Sequence, residues 1–246
     1  MQGASLVLTS YQDSLHAAMD VIANNVANLN TTGFKRETVA FDSYLVQPTP
    51  KDSFEFVLDE GTYRDIAQGS FITTGNPLDV AIQGSGYFPV QTDAGVRYTR
   101  SGSFQLDFEG NLVTSSGEKV LDGGNQVINF PSDARDILIG GDGTISAKSG
   151  AGSAVTEVGR LAAFEFKDEQ ALVSVGSGFY RAVESPEVSE TAQLMQGAVE
   201  QSNVKGIEEM TRMIEVSRAY QRVARLLETE QQRQASAIKR LGKITG

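Results

Sequence analysis

Few residues in this chain are of a type that does acid–base or nucleophilic chemistry, and their arrangement does not favour it. His16 is the only histidine, and it lies in a stretch with helical periodicity. A serine nucleophile would need that histidine as its base, whereas an isolated histidine on a helix face is more often packed or solvated. The chain has no cysteine, so a thiol nucleophile, a thiolate metal site and a disulfide framework are excluded.

Three glycine-rich stretches match binding loops only in part. Gly84-Ser85-Gly86 lacks the third glycine and the following helix of a dinucleotide-binding loop, and Gly117-Glu118-Lys119 lacks the upstream glycine and the hydroxyl residue of a phosphate loop. Gly140-Gly141-Asp142-Gly143 has Ile145 where a calcium-binding repeat needs aspartate, and it occurs once. We interpret all three as turns, and we predict no enzyme activity, no cofactor and no metal site.

The elements that remain to be explained are two apolar stripes at opposite ends of the chain. Near each end, apolar residues recur at steps of three and four, which is the spacing of one helix face. Each stripe needs another helix to cover it, and the other stripe is its likeliest partner in the sequence. The stripes consist of Leu8, Leu15, Met19, Ile22, Val26 and Leu29 at one end, and of Met213, Val216, Tyr220, Val223 and Leu227 at the other.

Between the two ends the pattern changes to short alternating runs broken by glycine at roughly ten-residue spacing, which is typical of a small barrel or sandwich. The sequence therefore predicts an α+β fold in which long N- and C-terminal helices pair as a coiled-coil-like layer and carry a central all-β domain. We expect three parts: a discontinuous helical domain of residues 1–34 plus 203–246, an extended connection with short strands at 35–75, and a β-rich outer domain at 76–202.

Charge is distributed unevenly along the chain. Of the 31 acidic residues, two lie in residues 1–34 and five in residues 203–246, which leaves 24 in the middle of a chain with net charge −10. The last segment also carries nine Lys and Arg, so it is basic. An acidic body with a basic helix argues against nucleic-acid binding and favours contacts between unlike parts or copies of the chain. We also predict no transmembrane segment and no cleaved signal peptide.

Several blocks of the sequence resemble the axial proteins of the bacterial flagellum, the family of rod and hook subunits. They span both ends and the body in the family's order. The blocks are Asn24-Asn25-Val26-Ala27-Asn28 with Thr32-Gly33-Phe34-Lys35, Asn76-Pro77-Leu78-Asp79-Val80-Ala81-Ile82, Tyr98-Thr99-Arg100-Ser101-Gly102-Ser103-Phe104, and Gln196-Gly197 through Ser202-Asn203-Val204 and Glu209-Met210 to Arg218-Ala219-Tyr220.

This resemblance implies a non-enzymatic structural subunit of the basal-body rod, which self-assembles through its terminal helices into a helical tube that transmits torque. The compact length and the block Arg64–Gly69 are similar to the proximal rod class, and the distal rod class is the alternative. Its partners would be copies of itself, other rod subunits and the flagellar type III export apparatus, in the periplasmic rod. The predicted subunit-interface residues are Leu8, Leu15, Met19, Ile22, Asn24, Asn25, Val26, Asn28, Leu29, Met210, Met213, Val216, Tyr220, Val223 and Leu227.

Two other functions stay open on the residues alone. A β-rich body could be a secreted binding module, since short strands with exposed turns suit ligand-binding loops. A carboxylate-based hydrolase is the other alternative, because some of the 24 acidic residues in the middle segment will lie close together by chance.

Overall fold

The computed structural model describes residues 2–49, 52–149, 154–189 and 191–244. The chain divides into two compact units. The first, called here the helix–hairpin unit, comprises Met1–Ala27, Glu37–Asp65 and Lys205–Gly246. The second, called here the β unit, comprises Asn28–Arg36 and Ile66–Val204. Among the helices in the described ranges, we find none that is both long and apolar enough to cross a membrane.

The helix–hairpin unit contains one helix from each end of the chain and a long hairpin. Helix α1 is Gln2–Ala27 and helix α2 is Gly206–Ile244. Strands β1 (Glu37–Thr49) and β2 (Asp52–Arg64) are antiparallel, with Glu37 opposite Arg64 at the open end. Helix α1 contacts α2 and both strands. The segment expected to be an extended connection with short strands therefore contains two strands of 13 residues each.

The β unit is built from many short strands. Its largest sheet has seven strands in the order β14-β15-β6-β5-β9-β8-β7, beside a three-stranded sheet β10-β11-β12 and the pairs β13-β16, β17-β4 and β18-β3. The strands are β3 Phe71–Thr73, β4 Val80–Gln83, β5 Phe88–Thr92, β6 Gly95–Thr99, β7 Phe104–Leu106, β8 Leu112–Thr114, β9 Lys119–Val120, β10 Arg135–Ile139, β11 Thr144–Ser149, β12 Ala154–Arg160, β13 Phe164–Glu165, β14 Val173–Ser174, β15 Phe179–Arg181, β16 Glu187–Val188, β17 Gln193–Gln196 and β18 Ala198–Glu200. A short 3-10 helix, Glu169–Ala171, precedes β14.

The predicted fold class, α+β with a small barrel or sandwich, is wrong. In the described residues, the largest sheet ends at β14, which pairs only with β15, and at β7, which pairs only with β8. The two end strands do not pair with each other, so this sheet stays open and no barrel closes. The helices also do not form a layer of their own, because α1 contacts the β1–β2 hairpin as well as α2. Strand spacing along a sequence indicates how many strands form, but closure depends on which distant strands pair.

The core of the β unit lies between its sheets. One cluster is mainly aliphatic and also contains four phenylalanines, of which Phe88 and Phe104 are in edge-to-face contact with ring centroids 5.2 Å apart. A second cluster is aromatic and contains Tyr87, Tyr98 and Tyr180. The tightest backbone approach is at Gly102, whose carbonyl accepts from the Val80 N–H at 2.8 Å. A Cβ at this position would lie 1.6 Å from the Val80 carbonyl oxygen, so the close approach requires glycine.

Candidate functional sites: the helix pair and a buried ion cluster

The apolar stripes identified in the sequence are largely covered within a single chain. Leu15, Ile22 and Val223 are buried. Ile22 of α1, Val39 of β1 and Val216 of α2 line the same small cavity of about 150 Å³. Among the other predicted interface residues, Asn25 is buried, Met210 and Asn24 are exposed, and the remaining nine are partly buried: Leu8, Met19, Val26, Asn28, Leu29, Met213, Val216, Tyr220 and Leu227.

Asn25 is the polar residue at the centre of the helix–hairpin unit, and it is 1% exposed. Its Nδ2 donates to the Glu37 carbonyl at 2.7 Å, and its Oδ1 accepts from the Glu37 N–H at 2.9 Å. The same Nδ2 lies 3.3 Å from Oε2 of Glu209 on α2, whose side chain is also buried. One amide therefore holds the end of α1, the start of β1 and the first turn of α2 in register, since it satisfies donors and acceptors of all three elements.

A second apolar stripe on α2 stays exposed. Ile207, Met210 and Ile214 recur at steps of three and four and are 85%, 60% and 54% exposed. At 3.6 residues per turn, this stripe is turned by roughly 140° from the face that carries Met213, Val216 and Val223. Helix α2 therefore has two apolar faces, and the exposed one begins at its N-terminal turn.

The β unit contains a buried cluster of ionised side chains around Glu200. The Glu200 side chain is 1% exposed, and its two carboxylate oxygens accept from Lys35 Nζ and from Arg100 Nε, each at 2.7 Å. Oε1 also accepts from the Gly69 N–H at 2.9 Å. The Glu200 carbonyl accepts from the Gly33 N–H at 2.8 Å. Glu200 thus binds three segments that are far apart in the sequence, at residues 33–35, Gly69 and Arg100.

The remaining donors of the two cations are satisfied by backbone carbonyls. Arg100 donates to the carbonyls of Gly84 and Gly86, and at 3.2 Å to that of Ile82. Lys35 Nζ donates to the Ala67 carbonyl at 2.9 Å. Buried charges are stable only when paired and hydrogen-bonded, and this cluster meets both conditions.

Several members of the cluster are close in sequence to boundaries of the β unit. Unit boundaries in the sequence fall after Ala27, after Arg36, after Asp65 and after Val204. Asn203 adds to the cluster, because its Oδ1 accepts from the Arg36 N–H at 2.7 Å and its Nδ2 donates to the Ala67 carbonyl at 2.9 Å. Three segments of the β unit that adjoin boundaries in the sequence, at residues 35–36, Ala67 and residues 200–203, are therefore hydrogen-bonded to one another.

The charges of this cluster shift the pKa values of its members. Burial opposes the ionised form of Glu200, but Arg100 and Lys35 outweigh it and hold the pKa of Glu200 below its ordinary 4.5. Burial lowers the pKa of Lys35 despite the neighbouring carboxylate. These directions fit a carboxylate that is ionised in the folded protein and whose charge compensates two cations.

We expect the stability conferred by Glu200 to depend on pH. Its folded-state pKa is depressed, so its contribution is complete above the ordinary pKa of 4.5 and is lost as the pH falls through the folded value. The difference in free energy of unfolding between the wild type and Glu200→Gln should be constant from pH 5 to 7 and should shrink below about pH 4.5. Urea titrations of both proteins at each pH measure this difference in free energy of unfolding. A difference that persists unchanged at pH 3 would contradict this assignment.

The single histidine lies on helix α1, and the glycines of the three glycine-rich stretches lie between strands. His16 is an exposed residue of α1, and its Nδ1 lies 3.0 Å from the Asp20 carboxylate one turn away. A cavity of about 240 Å³ beside the ion cluster is lined by Lys35, Arg100 and Glu169, and Glu169 accepts from the Tyr87 hydroxyl at 3.0 Å. No group of metal-ligating side chains occurs in the ranges that the structure describes. Gly84, Gly117 and Gly143 have positive φ angles, as turns require.

The sequence analysis missed Glu200 and its role. Its cation partners are 165 and 100 residues away in the chain. No local spacing in the sequence marks such a cluster. Each member, taken alone, looks like an ordinary charged residue of a strand or loop. One available signal was that Lys35 and Arg100 both fall inside blocks that resemble the flagellar axial proteins.

Comparisons with known proteins give consistent matches from one end of the chain to the other. Three family models match it: "Flagella basal body rod protein" at residues 13–35, "Flagellar hook protein FlgE/F/G D1 domain" at 81–147 and "Flagellar basal body rod FlgEFG protein C-terminal" at 195–240. The chain is 36% identical to the flagellar basal-body rod protein FlgF of Caulobacter vibrioides over 99% of its own length and 100% of the relative's. It is 35% identical to FlgF of Mesorhizobium japonicum over 98% and 99%.

Rod proteins of the FlgG type are also similar. The FlgG of Bacillus subtilis is 34% identical over 86% of this chain and 88% of the relative. The resemblance drawn from the sequence blocks is confirmed by these alignments. With more than a third of its residues identical over nearly all of both sequences, the chain belongs to the family of flagellar basal-body rod proteins, and it aligns from end to end with members named FlgF.

Proposed function

We propose that the protein is a structural subunit of the proximal flagellar rod and that its copies join through the exposed face of α2. The observation that carries this proposal is the stripe Ile207, Met210 and Ile214, which α1 leaves uncovered. Large exposed apolar residues in a row mark interaction surfaces. The buried face of α2 contacts α1 of the same chain, so the second face is the one available to a neighbouring molecule.

This proposal changes the part that the predicted interface residues play. Leu15, Ile22 and Val223 are buried within one molecule, so they would hold the two helices as a single unit. Met210 belongs to the exposed stripe and would contact a second copy directly. Burial of each apolar side chain in the stripe is worth about 1.5–3 kcal/mol, and repetition around a tube multiplies this gain with each added subunit.

The length of the aligned regions supports the proximal rod over the distal rod. The relatives named FlgF cover 98–99% of this chain, whereas those named FlgG cover 86–92%. The distal rod subunit remains the second candidate, because the identities are similar. In either case the protein would lie in the periplasmic part of the basal body, would reach it through the flagellar type III export apparatus, and would transmit torque as part of the rod.

The experiment that tests this proposal removes the apolar stripe and keeps the helix. A triple variant Ile207→Gln, Met210→Gln and Ile214→Gln retains good helix formers at exposed positions. In a flagellated bacterium that lacks its own copy, we expect the wild type to restore swimming and the variant to restore little or none. Purified basal bodies should lack the variant protein, whereas its circular dichroism should match that of the wild type.

A control variant changes an exposed apolar residue of the same helix that does not belong to the stripe. Leu226 is 55% exposed but lies off the stripe, so Leu226→Gln should support swimming at nearly the wild-type level. Normal incorporation of the triple variant into basal bodies would show that this face of α2 does not join subunits.

A further inference from the structure

A hairpin of the β unit presents a fully exposed aromatic side chain. Phe108 lies in the turn between β7 and β8, and its relative exposure is 112%. Leu106 beside it is 37% exposed. An aromatic ring in water forfeits the 150–250 Å² of burial that such side chains usually provide. At this turn tip the ring is accessible to a partner outside its own chain.

The tip that carries Phe108 is held rigidly by hydrogen bonds. Asp107 Oδ1 accepts from the N–H groups of Glu109 and Asn111, each at 2.8 Å, and Oδ2 accepts from Asn111 Nδ2 at 2.8 Å. Gly110 completes the turn with a φ of 83°, and its N–H donates to the Asp107 carbonyl at 3.1 Å. Because the backbone is already fixed, little conformational entropy would be lost when the ring binds.

An apolar groove of suitable size lies on the three-stranded sheet of the same unit. It has a volume of about 320 Å³ and is lined by the apolar residues Ile137, Leu138 and Val155 together with Asp136, Ser146 and Lys148. Leu138 and Val155 are 62% and 66% exposed. A cavity of about 150 Å³ is enough to hold a benzene ring, so the groove has room for one phenyl group.

The charges around the tip and the groove are complementary. Two carboxylates flank the ring, those of Asp107 and Glu109, and Glu109 has Lys119 at 3.6 Å. At the groove, Arg135 and Lys148 stand opposite each other in the β10–β11 register. Asp136 pairs with Lys148 at 2.9 Å, and Glu157 stands opposite Ser146, so Arg135 is the cation of this rim that we expect to meet a carboxylate of the tip. Such an arrangement favours approach of the acidic tip.

We propose that Phe108 of one copy inserts into the Leu138–Val155 groove of a second copy. The contact joins two different surfaces, so it repeats in one direction and builds an open helical assembly instead of a closed dimer. This inference rests on the proposed function, because it supplies a lateral contact between β units of a self-assembling rod subunit. It adds a contact in the β unit that the exposed stripe of α2 does not provide.

The absence of natural cysteine allows a direct test by disulfide cross-linking. Two single variants, Phe108→Cys and Val155→Cys, are co-expressed with different epitope tags in the bacterium that lacks its own copy. Basal bodies are then purified, oxidised and analysed without reducing agent. We expect a cross-linked dimer that carries both tags. The matched control replaces Val155→Cys by Val183→Cys, which is equally exposed at 66% but lies outside the groove, and should give no such dimer.

The outcomes separate this inference from the proposed function. Incorporation of both proteins into basal bodies without a dimer of the two tags would overturn the groove contact and leave the structural role intact. A cross-link from the Phe108→Cys variant to a different rod protein would overturn the choice of a second copy as the partner. In a parallel measurement, Phe108→Ala should weaken self-association of the purified protein about tenfold or more, the effect expected for loss of one buried phenyl group.

Discussion

Replacement of Glu200 by glutamine is expected to destabilise the β unit by about 3–5 kcal/mol, the cost of removing one member of a buried ion pair. Glutamine keeps the shape of the side chain but leaves Lys35 and Arg100 as two buried cations without a counter-charge. This loss is a large part of the 5–15 kcal/mol that stabilises a typical domain. The loss of stability should appear directly as faster hydrogen exchange of the Gly69 amide, which donates to Glu200.

The control for this prediction is a glutamate of the same unit in an exposed pair. Glu187 lies 3.4 Å from Lys167, and both side chains are more than 70% exposed. Because exposed pairs contribute about 0–1 kcal/mol, Glu187→Gln should be close to the wild type in urea unfolding. Equal effects of the two substitutions would show that the Glu200 cluster does not hold the β unit together.

The terminal helices could be located from sequence because their cause is local. Apolar residues at steps of three and four define one helix face, and Leu15, Ile22 and Val223 on that pattern are buried. The same reasoning could not tell that α2 has a second apolar face open to solvent. Ile207 and Ile214 fit a helix as well as their buried neighbours do, and only the contacts of α1 decide which face is covered.

The β unit shows where sequence reasoning fails. Turn residues indicate strands at the right density, but the sheet order β14-β15-β6-β5-β9-β8-β7 places β15, at residues 179–181, beside β6, at residues 95–99. Such pairings are decided by packing over long sequence distances, as is the meeting of Lys35, Arg100 and Glu200. The predicted barrel was wrong for this reason, and the ion cluster was missed for the same one.

Asn25→Asp is expected to loosen the helix–hairpin unit by a comparable amount, about 3–5 kcal/mol. The aspartate would still accept from the Glu37 N–H, but it would lose the donor to the Glu37 carbonyl. It would also place a second carboxylate in the buried space where Nδ2 now lies 3.3 Å from Glu209. Two buried like charges at this distance repel strongly, so α1, β1 and α2 should separate more easily. Limited proteolysis within α1 measures this opening.

Two further substitutions distinguish charge repulsion from a general loss of packing. Asn24→Asp changes the neighbouring exposed asparagine in the same way and should cost less than about 1 kcal/mol, because water screens its charge. Adding Glu209→Gln to Asn25→Asp removes the second carboxylate and supplies a new donor, so it should restore most of the lost stability. Lowering the pH should act in the same direction, since one proton shared between the two carboxyl groups removes the repulsion. A double variant as unstable as Asn25→Asp would mean that the amide donor to Glu37, and not Glu209, holds the three elements in register.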